Sequence, residues 1–252
     1  MKIYAGTSGF AHKEWKGKFY PEKISPKELL RFYAERLNTV EINNTFYHMP
    51  KESVLASWAE QVPDDFIFAL KAPQVITHIR QLRNVFEQTE YLFRSVSVLD
   101  RKLGPVLFQF PKSFRANAPA LEDFLPLIPG NRACAFDFRS STWLEGGIPD
   151  LLRNKGYSWC NEDTDENPAK EIISTATWGY LRLRRSDYTD AGLSQWVERI
   201  LAQKWERAFV FFKHEDEAKG PELEMRFQEL IDSRLDGGKI KAGRVNSAAK
   251  AT

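Results

Sequence analysis

Eight short runs along the chain carry the polarity pattern of β-strands: Ile3–Thr7, Thr39–Asn43, Phe66–Lys71, Val106–Phe110, Ala133–Phe138, Tyr157–Asn161, Gly179–Arg184 and Ala208–Lys213. The second shows the pattern best. Val40 and Ile42 point to one face, and Thr39, Glu41 and Asn43 to the other. An acid and an amide at the end of an apolar strand are costly to bury without partners. Such a strand suits an active-site mouth; a carboxylate paired with an internal arginine for structural reasons is the alternative.

Between most of these runs the apolar positions recur with helical spacing. Ser25-Pro26-Lys27-Glu28 reads as a capping box, followed by a stripe of Leu29, Leu30, Phe32, Tyr33 and Leu37. Further helices are expected over Lys51–Gln61, Asn84–Leu99, Ala118–Leu127, Pro149–Lys155, Leu193–Gln203 and Pro221–Leu235. Pro168–Thr175 supports only a short turn of helix, so the sixth helix is expected to be irregular. Alternating strand and helix units of this number predict an α/β fold, a TIM-like (β/α)₈ barrel in one domain over residues 1–235. An open doubly wound sheet is the competing architecture. It calls for a glycine-rich phosphate loop after the first strand, and Gly6-Thr7-Ser8-Gly9 is not GxGxxG.

In such barrels the chemistry sits at the C-terminal ends of the strands. Period two sorts the side chains there. Ser8 shares a face with Tyr4 and Gly6, Asn43 with Glu41, Lys71 with Ala69, and Arg139 with Asp137. Gln109 opposes Phe108 and Phe110, Arg182 and Arg184 follow Tyr180, and Lys213 follows Phe209 and Phe211. The inward set then holds Lys71, Arg139, Arg182, Arg184 and Lys213 against Glu41 and Asp137. A surplus of positive charge around a low-dielectric pocket favours an anionic ligand, a phosphate or carboxylate. Arginines that brace the barrel rim are the structural alternative.

Composition narrows the classes. The chain of 252 residues is 42% hydrophobic and 28% charged, as a globular protein is. The formal net charge of +2 is unevenly spread: the Gly-, Ala- and Lys-rich tail from Asp236 to Thr252 carries +3, leaving the body near neutral. That balance gives no global case for nucleic-acid or membrane-surface binding. No apolar run approaches the ~20 residues that span a membrane. Met1 leads directly into the first strand, which leaves no room for a signal peptide. Cys134 and Cys160 sit in apolar runs and read as reduced, buried thiols of a cytoplasmic protein.

Aromatics crowd the loops after the strands. Phe46 and Tyr47 follow the second strand, Trp143 the fifth, and Phe10, Trp15, Phe19 and Tyr20 the first. They are either stacking surfaces for a ligand or a secondary core, and Trp15 and Phe19 suit the core. His78 and His214 follow strands three and eight, with Glu162, Asp163 and Glu215 among the nearby acids. These could complete a metal set, but no HxH or HExxH spacing requires one, no GxSxG marks a serine nucleophile, and the cofactor is left open.

Several motifs in order carry a family resemblance. They are Gly6-Thr7-Ser8-Gly9-Phe10 with Trp15-Lys16-Gly17-Lys18-Phe19-Tyr20-Pro21, then Thr39-Val40-Glu41-Ile42-Asn43-Asn44-Thr45-Phe46-Tyr47. Phe66 to Lys71 with Ile76-Thr77-His78, and Leu103-Gly104-Pro105 with Gln109-Phe110-Pro111, continue the series. The chain resembles the domain of unknown function 72 family, also called YecE-like, from about Lys2 to Leu235. The resemblance implies a TIM-barrel-like fold and leaves the activity open. Three departures stand out. Asp137 with Arg139 and Trp143 replaces a usual Phe-Glu-x-Arg…Trp, Arg182-Leu183-Arg184-Arg185 a usual Arg-x-His-Gly, and Phe212-Lys213-His214 a usual Phe-Asn-Asn.

The leading expectation is an enzyme acting on a small anionic, phosphorylated or sugar-containing molecule. Glu41 is its expected acid or base with a pKa tuned by burial and cations, with Asp137 and Lys71 as companion catalytic groups. Ser8, Asn43, Tyr47, His78, Gln109, Arg139, Arg182, Arg184 and Lys213 are the expected ligand-binding set. A nucleic-acid-processing barrel and a non-catalytic ligand-binding domain with Glu41 locked in an ion pair are the two alternatives.

Overall fold

The computed structural model describes residues 1–169, 171–213 and 218–236. Eight parallel strands close into a barrel in sequence order: β1 (Lys2–Ser8), β2 (Thr39–Ile42), β3 (Ile67–Lys71), β4 (Leu103–Phe110), β5 (Cys134–Phe138), β6 (Ser158–Asp163), β7 (Trp178–Leu183) and β8 (Arg207–Phe212). The seam between β8 and β1 runs from Lys2 opposite Arg207 to Thr7 opposite Phe212. Seven α-helices cover the outside among the described residues: α1 (Leu29–Ala34), α2 (Glu52–Gln61), α3 (Phe86–Val96), α4 (Ala118–Phe124), α5 (Ile148–Lys155), α6 (Asp190–Leu201) and α7 (Lys219–Asp236). None is long and apolar enough to cross a membrane.

The strands are buried on both faces, as a parallel sheet with helices outside requires. One face fills the barrel. Tyr4, Ala69, Leu107, Ala135, Cys160, Tyr180, Phe209 and Phe211 form this inner core. Small Ala69 and Ala135 leave room for the large rings, and Tyr4 stacks on Phe209 at 4.9 Å. The other face packs against the helices through residues such as Val40, Phe68, Phe108 and Phe136. Gly6 marks a close approach of β1 and β2: a Cβ there would lie 2.0 Å from the Thr39 carbonyl oxygen. Tyr33 of α1 ties the same two strands. Its hydroxyl accepts from the Thr7 amide and donates to the Thr39 carbonyl, both at 2.9 Å.

The structure departs from the expected elements at three points. Glu28 does reach back to the Ser25 amide, but α1 begins only at Leu29, so the Ser25–Glu28 pair closes a turn ahead of the helix. The Ser25 hydroxyl donates to the Glu28 carboxylate at 2.6 Å instead of capping an amide. β4 starts at Leu103, with an irregular register against β3 where Gly104 and Pro105 interrupt the ladder. The sixth connection carries no α-helix among the described residues, and the expected turn over Pro168–Thr175 is absent. Side chains hold that segment instead. Asn161 pairs with both the amide (2.7 Å) and the carbonyl (3.1 Å) of Ile173. Thr175 accepts from the Trp159 amide and donates to the Tyr157 carbonyl, both at 2.7 Å. His214, Glu215 and the tail beyond Asp236 lie outside the described residues.

Candidate functional site

Register sets the first contact of the site. Ser8, the last residue of β1, lies opposite Glu41 of β2, and its hydroxyl donates to Glu41 Oε1 at 2.8 Å. Asn43 Nδ2 donates to the same oxygen at 3.0 Å. From across the barrel Tyr180 donates to Oε2 at 2.7 Å, and Arg182 Nη2 to Oε1 at 3.0 Å. Glu41 is 0% exposed. Burial drives its carboxyl upward, but the Arg182 charge and the donors from Asn43, Tyr180 and Ser8 outweigh it and push the pKa down to about 2. That shift runs opposite to the tuning toward neutral pH expected of Glu41 as an acid or base. The four partners favour the charged carboxylate.

Arg182, 2% exposed, links two carboxylates. Its Nη1 donates to Asp137 Oδ2 at 3.1 Å while Nη2 holds Glu41. Asp137 also receives Gln109 Nε2 at 2.6 Å and pairs with Arg139 at 3.2 Å. A third carboxylate completes the frame. Glu162 on β6 binds Arg139 at 2.6 Å and Arg184 at 2.8 Å. Burial and the Asp137 charge raise its pKa. Paired positions between β5 and β6 end at Phe136–Trp159, so the Arg139–Glu162 pair bridges the strands where their ladder stops.

Lys71, at the end of β3, differs from these cations. Nζ donates to Gln109 Oε1 at 2.7 Å and lies over the Phe46 ring, 4.0 Å from its centroid. Among the described residues no carboxylate lies within ion-pair distance of it. Burial lowers its pKa, the Arg182 charge lowers it further, and the more distant carboxylates recover only part, leaving it at about 8. His78 packs edge-on against the same Phe46 ring at 4.8 Å, on a single π-helical turn (Val75–Ile79) after β3. Thr77 Oγ1 sits 2.8 Å from its Nδ1. Burial, then the Lys71 charge, hold the imidazole below its ordinary pKa.

A cavity of about 330 Å³ opens above this layer. Ser8, Asn43, Tyr47 and Lys71 line it from β1 to β3, and Gln109, Arg182, Arg184 and Lys213 from the far side. Tyr47 stands 76% exposed at the rim. Glu41 and Asp137 bind the lining residue Arg182, Arg139 pairs with Asp137, and His78 packs on the Phe46 ring that also carries the lining residue Lys71. The twelve singled-out residues thus gather at one end of the barrel. Trp15 and Trp143 do not join them. Both are buried, and Trp143 donates to the Phe114 carbonyl and stacks on Phe138, so each belongs to a secondary core under the loops.

Four neighbours of the site went unassigned at the level of sequence. Tyr180 and Glu162 were available from strand parity, Glu162 by following Cys160 on the inner face of β6. His12 follows β1 and lines the cavity with Trp58 of α2, for which no sequence pattern points inward. Among the described residues no three His, Cys, Asp or Glu side chains form a metal-binding group. The carboxylates of the mouth are instead cross-paired with arginines.

Comparison with known proteins agrees with this architecture. The UPF0759 protein YecE of Escherichia coli K12 is 33% identical over 156 residues, 61% of this chain and 54% of that protein. The UPF0759 protein YunF of Bacillus subtilis is 28% identical over 175 residues, 65% of this chain and 61% of that protein. The matched regions therefore span little more than half the length of these curated relatives. A crystal structure of a DUF72 family protein from Thermotoga maritima superimposes with a TM-score of 0.82 at 25% identity, over 92% of this chain and all of that one. A second, from Enterococcus faecalis, shares the fold with a TM-score of 0.73 at 18% identity, over 99% of this chain and all of that one. The family described as "Protein of unknown function DUF72" matches residues 4–244, and the chain belongs to that DUF72 family.

Proposed function

We propose that the protein is an enzyme acting on a small anionic molecule bound at the C-terminal mouth of the barrel, with the Lys71 amine as its reactive group. The observation that carries this reading is the state of Lys71: it lines the cavity, its acceptor is a neutral amide, and its pKa is held at about 8. At neutral pH such a group exists as both ammonium and free amine, which suits proton transfer. Among the described residues four cations (Lys71, Arg139, Arg182 and Arg184) face three carboxylates (Glu41, Asp137 and Glu162) around the mouth, and that surplus favours a phosphate or carboxylate. Glu41, Asp137 and Arg182 serve in this reading as the rigid frame that orients Gln109 and through it Lys71. Glu41 locked in an ion pair also belongs to the reading of a non-catalytic ligand-binding domain; the open cavity with an amine facing it favours chemistry over simple capture.

The test is a thermal-shift and calorimetry panel of inorganic phosphate, phosphorylated sugars, small carboxylates and short DNA, on wild type and Lys71→Met. A small anion at about 100 times its Kd is expected to stabilise the wild type by ~2.7 kcal/mol and the variant markedly less. No stabilisation by any small anion, or equal stabilisation of the variant, would refute the reading. A response to DNA alone would move it to a nucleic-acid substrate.

A further inference from the structure

We propose that the free amine of Lys71 attacks the carbonyl carbon of an anionic aldehyde or ketone and holds it as a covalent imine in the mouth cavity. The inference rests on the anionic-ligand reading above and narrows it to carbonyl compounds. Three features of the surroundings support it.

The first is access. Lys71 and Gln109 line the cavity side by side, with Nζ held by Gln109 Oε1 at 2.7 Å, so the amine sits in the wall of the space a ligand would fill. The second is the shielding of that amine from carboxylates. Asp137, the nearest acid along the hydrogen-bond chain, is separated from it by the Gln109 amide, which accepts from Lys71 and donates to Asp137. A direct carboxylate partner would hold the nitrogen as an ammonium, which has no lone pair to give. The third is the pairing of a charge-binding wall with an apolar one. Arg182, Arg184 and Lys213 contribute charged groups to the cavity lining, and Phe10, Ile42 and Trp58 contribute apolar and aromatic ones. The cationic wall suits the anionic end of the ligand, and the aromatic wall limits water around the carbon under attack.

The chemistry balances with groups already present. The nitrogen lone pair forms a bond to the carbonyl carbon, the C=O π pair moves to oxygen, and proton transfer gives a neutral carbinolamine. The nitrogen then expels that hydroxyl with one further proton, so one water leaves and a protonated imine remains. His78 packs on the same Phe46 ring as Lys71 and is held below its ordinary pKa, so it is the titratable group through which, with solvent, the proton is relayed. The lowered pKa of Lys71 raises the fraction of free amine at neutral pH.

Borohydride trapping tests this on the full chain. Glyoxylate, pyruvate and glyceraldehyde 3-phosphate, with uncharged glyceraldehyde as control, are each incubated with the protein and sodium cyanoborohydride. Hydride transfer to the imine carbon leaves a stable secondary amine, read by intact mass and peptide mapping. The expected result is one adduct on Lys71, at least tenfold above any other lysine with an anionic carbonyl, and suppressed by inorganic phosphate. Labelling should be absent in Lys71→Arg, which keeps the charge, with folding checked by circular dichroism. Mapping of the wild type decides the question even if that variant does not fold. Labelling spread evenly over surface lysines, or none on Lys71, overturns the imine. If phosphate still stabilises the protein in that case, the anion-site reading survives and only the covalent step falls. If phosphate has no effect either, both fall.

Discussion

Replacing Arg182 by Met tests the frame of the site most directly. The guanidinium is 2% exposed and bridges Glu41 at 3.0 Å and Asp137 at 3.1 Å, themselves 0% and 2% exposed. Methionine fills part of the volume but leaves two buried carboxylates without their shared cation. Breaking a buried pair in this way typically costs ~3–5 kcal/mol. The Glu41 pKa gives a consistent scale, since its fall from 4.5 to about 2 corresponds to ~3 kcal/mol of preference for the charged form. The pH dependence supplies the sharper test. In the wild type the depressed carboxyl contributes stability that is present above pH 4.5 and is lost as pH falls toward 2. In Arg182→Met burial is less opposed, the Glu41 pKa rises, and protonation relieves the buried charge as pH falls. The stability gap should therefore be ~3–5 kcal/mol at pH 7, equivalent to ~6–10 °C in Tm for a chain of this length, and narrow by pH 4.5. Urea denaturation at both pH values measures it. A gap below ~1 kcal/mol at pH 7, or one that widens on acidification, would refute the account of Arg182 as the keystone of a charged frame.

The remaining expectations concern the amine and the barrel wall. Gln109→Glu brings one carboxylate oxygen to the position 2.7 Å from Lys71 Nζ and the other to 2.6 Å from Asp137 Oδ2, so the two acids share a proton and the negative charge of the pair now reaches the amine. The pH midpoint of amine labelling, near 8 in the wild type, should move upward by ~1 unit or more; an unchanged or lower midpoint in the labelling profile counts against the shielding argument. Gly6→Ala drives a Cβ to 2.0 Å from the Thr39 carbonyl oxygen, a backbone atom that cannot step aside. A loss of ~1–3 kcal/mol or more is expected by chemical denaturation, and a neutral result would mean that β1 and β2 tolerate a wider spacing. Tyr180→Phe removes a buried donor from Glu41 Oε2 and should cost ~1–3 kcal/mol. In the same variant Glu41 should titrate above its wild-type value of about 2, read by carboxyl NMR; no upward movement would discount the Tyr180 contact.

The barrel was legible because its two signals reinforce each other. Apolar runs at βα spacing predict the eight strands, and period two within each run separates Tyr4, Ala69, Tyr180 and Phe209 on the inner face from Phe68, Phe108 and Phe136 on the outer. Where a connection is built from side chains, that logic fails. Asn161 and Thr175 hold the sixth linkage through backbone hydrogen bonds that leave no periodic trace. The inward polar set was legible for the same reason as the core, and β6 yields Glu162 once Cys160 fixes its parity. The state of Glu41 was not. Ser8 and Asn43 are near it in register or sequence, but Arg182 and Tyr180 reach it from β7 across the barrel. Whether burial or those partners win is a matter of distances that only the closed barrel supplies.

Those distances also explain why, among the described residues, Lys71 meets an amide while the neighbouring arginines meet carboxylates. Arginine's fork can hold two carboxylates at once, and Arg182 does so with Glu41 and Asp137, as Arg139 does with Asp137 and Glu162. The three acids are thereby engaged before any reaches Lys71. A lysine in place of Arg182 would offer a single point charge and leave one acid seeking another partner, with the ammonium of Lys71 the natural choice. Gln109 then transmits position without charge, since its carbonyl receives Lys71 and its amide meets Asp137. The arginine–carboxylate frame and the amine are thus parts of one arrangement. The frame saturates the acids, the amide fixes the lysine, and burial beside Arg182 keeps its proton loosely held.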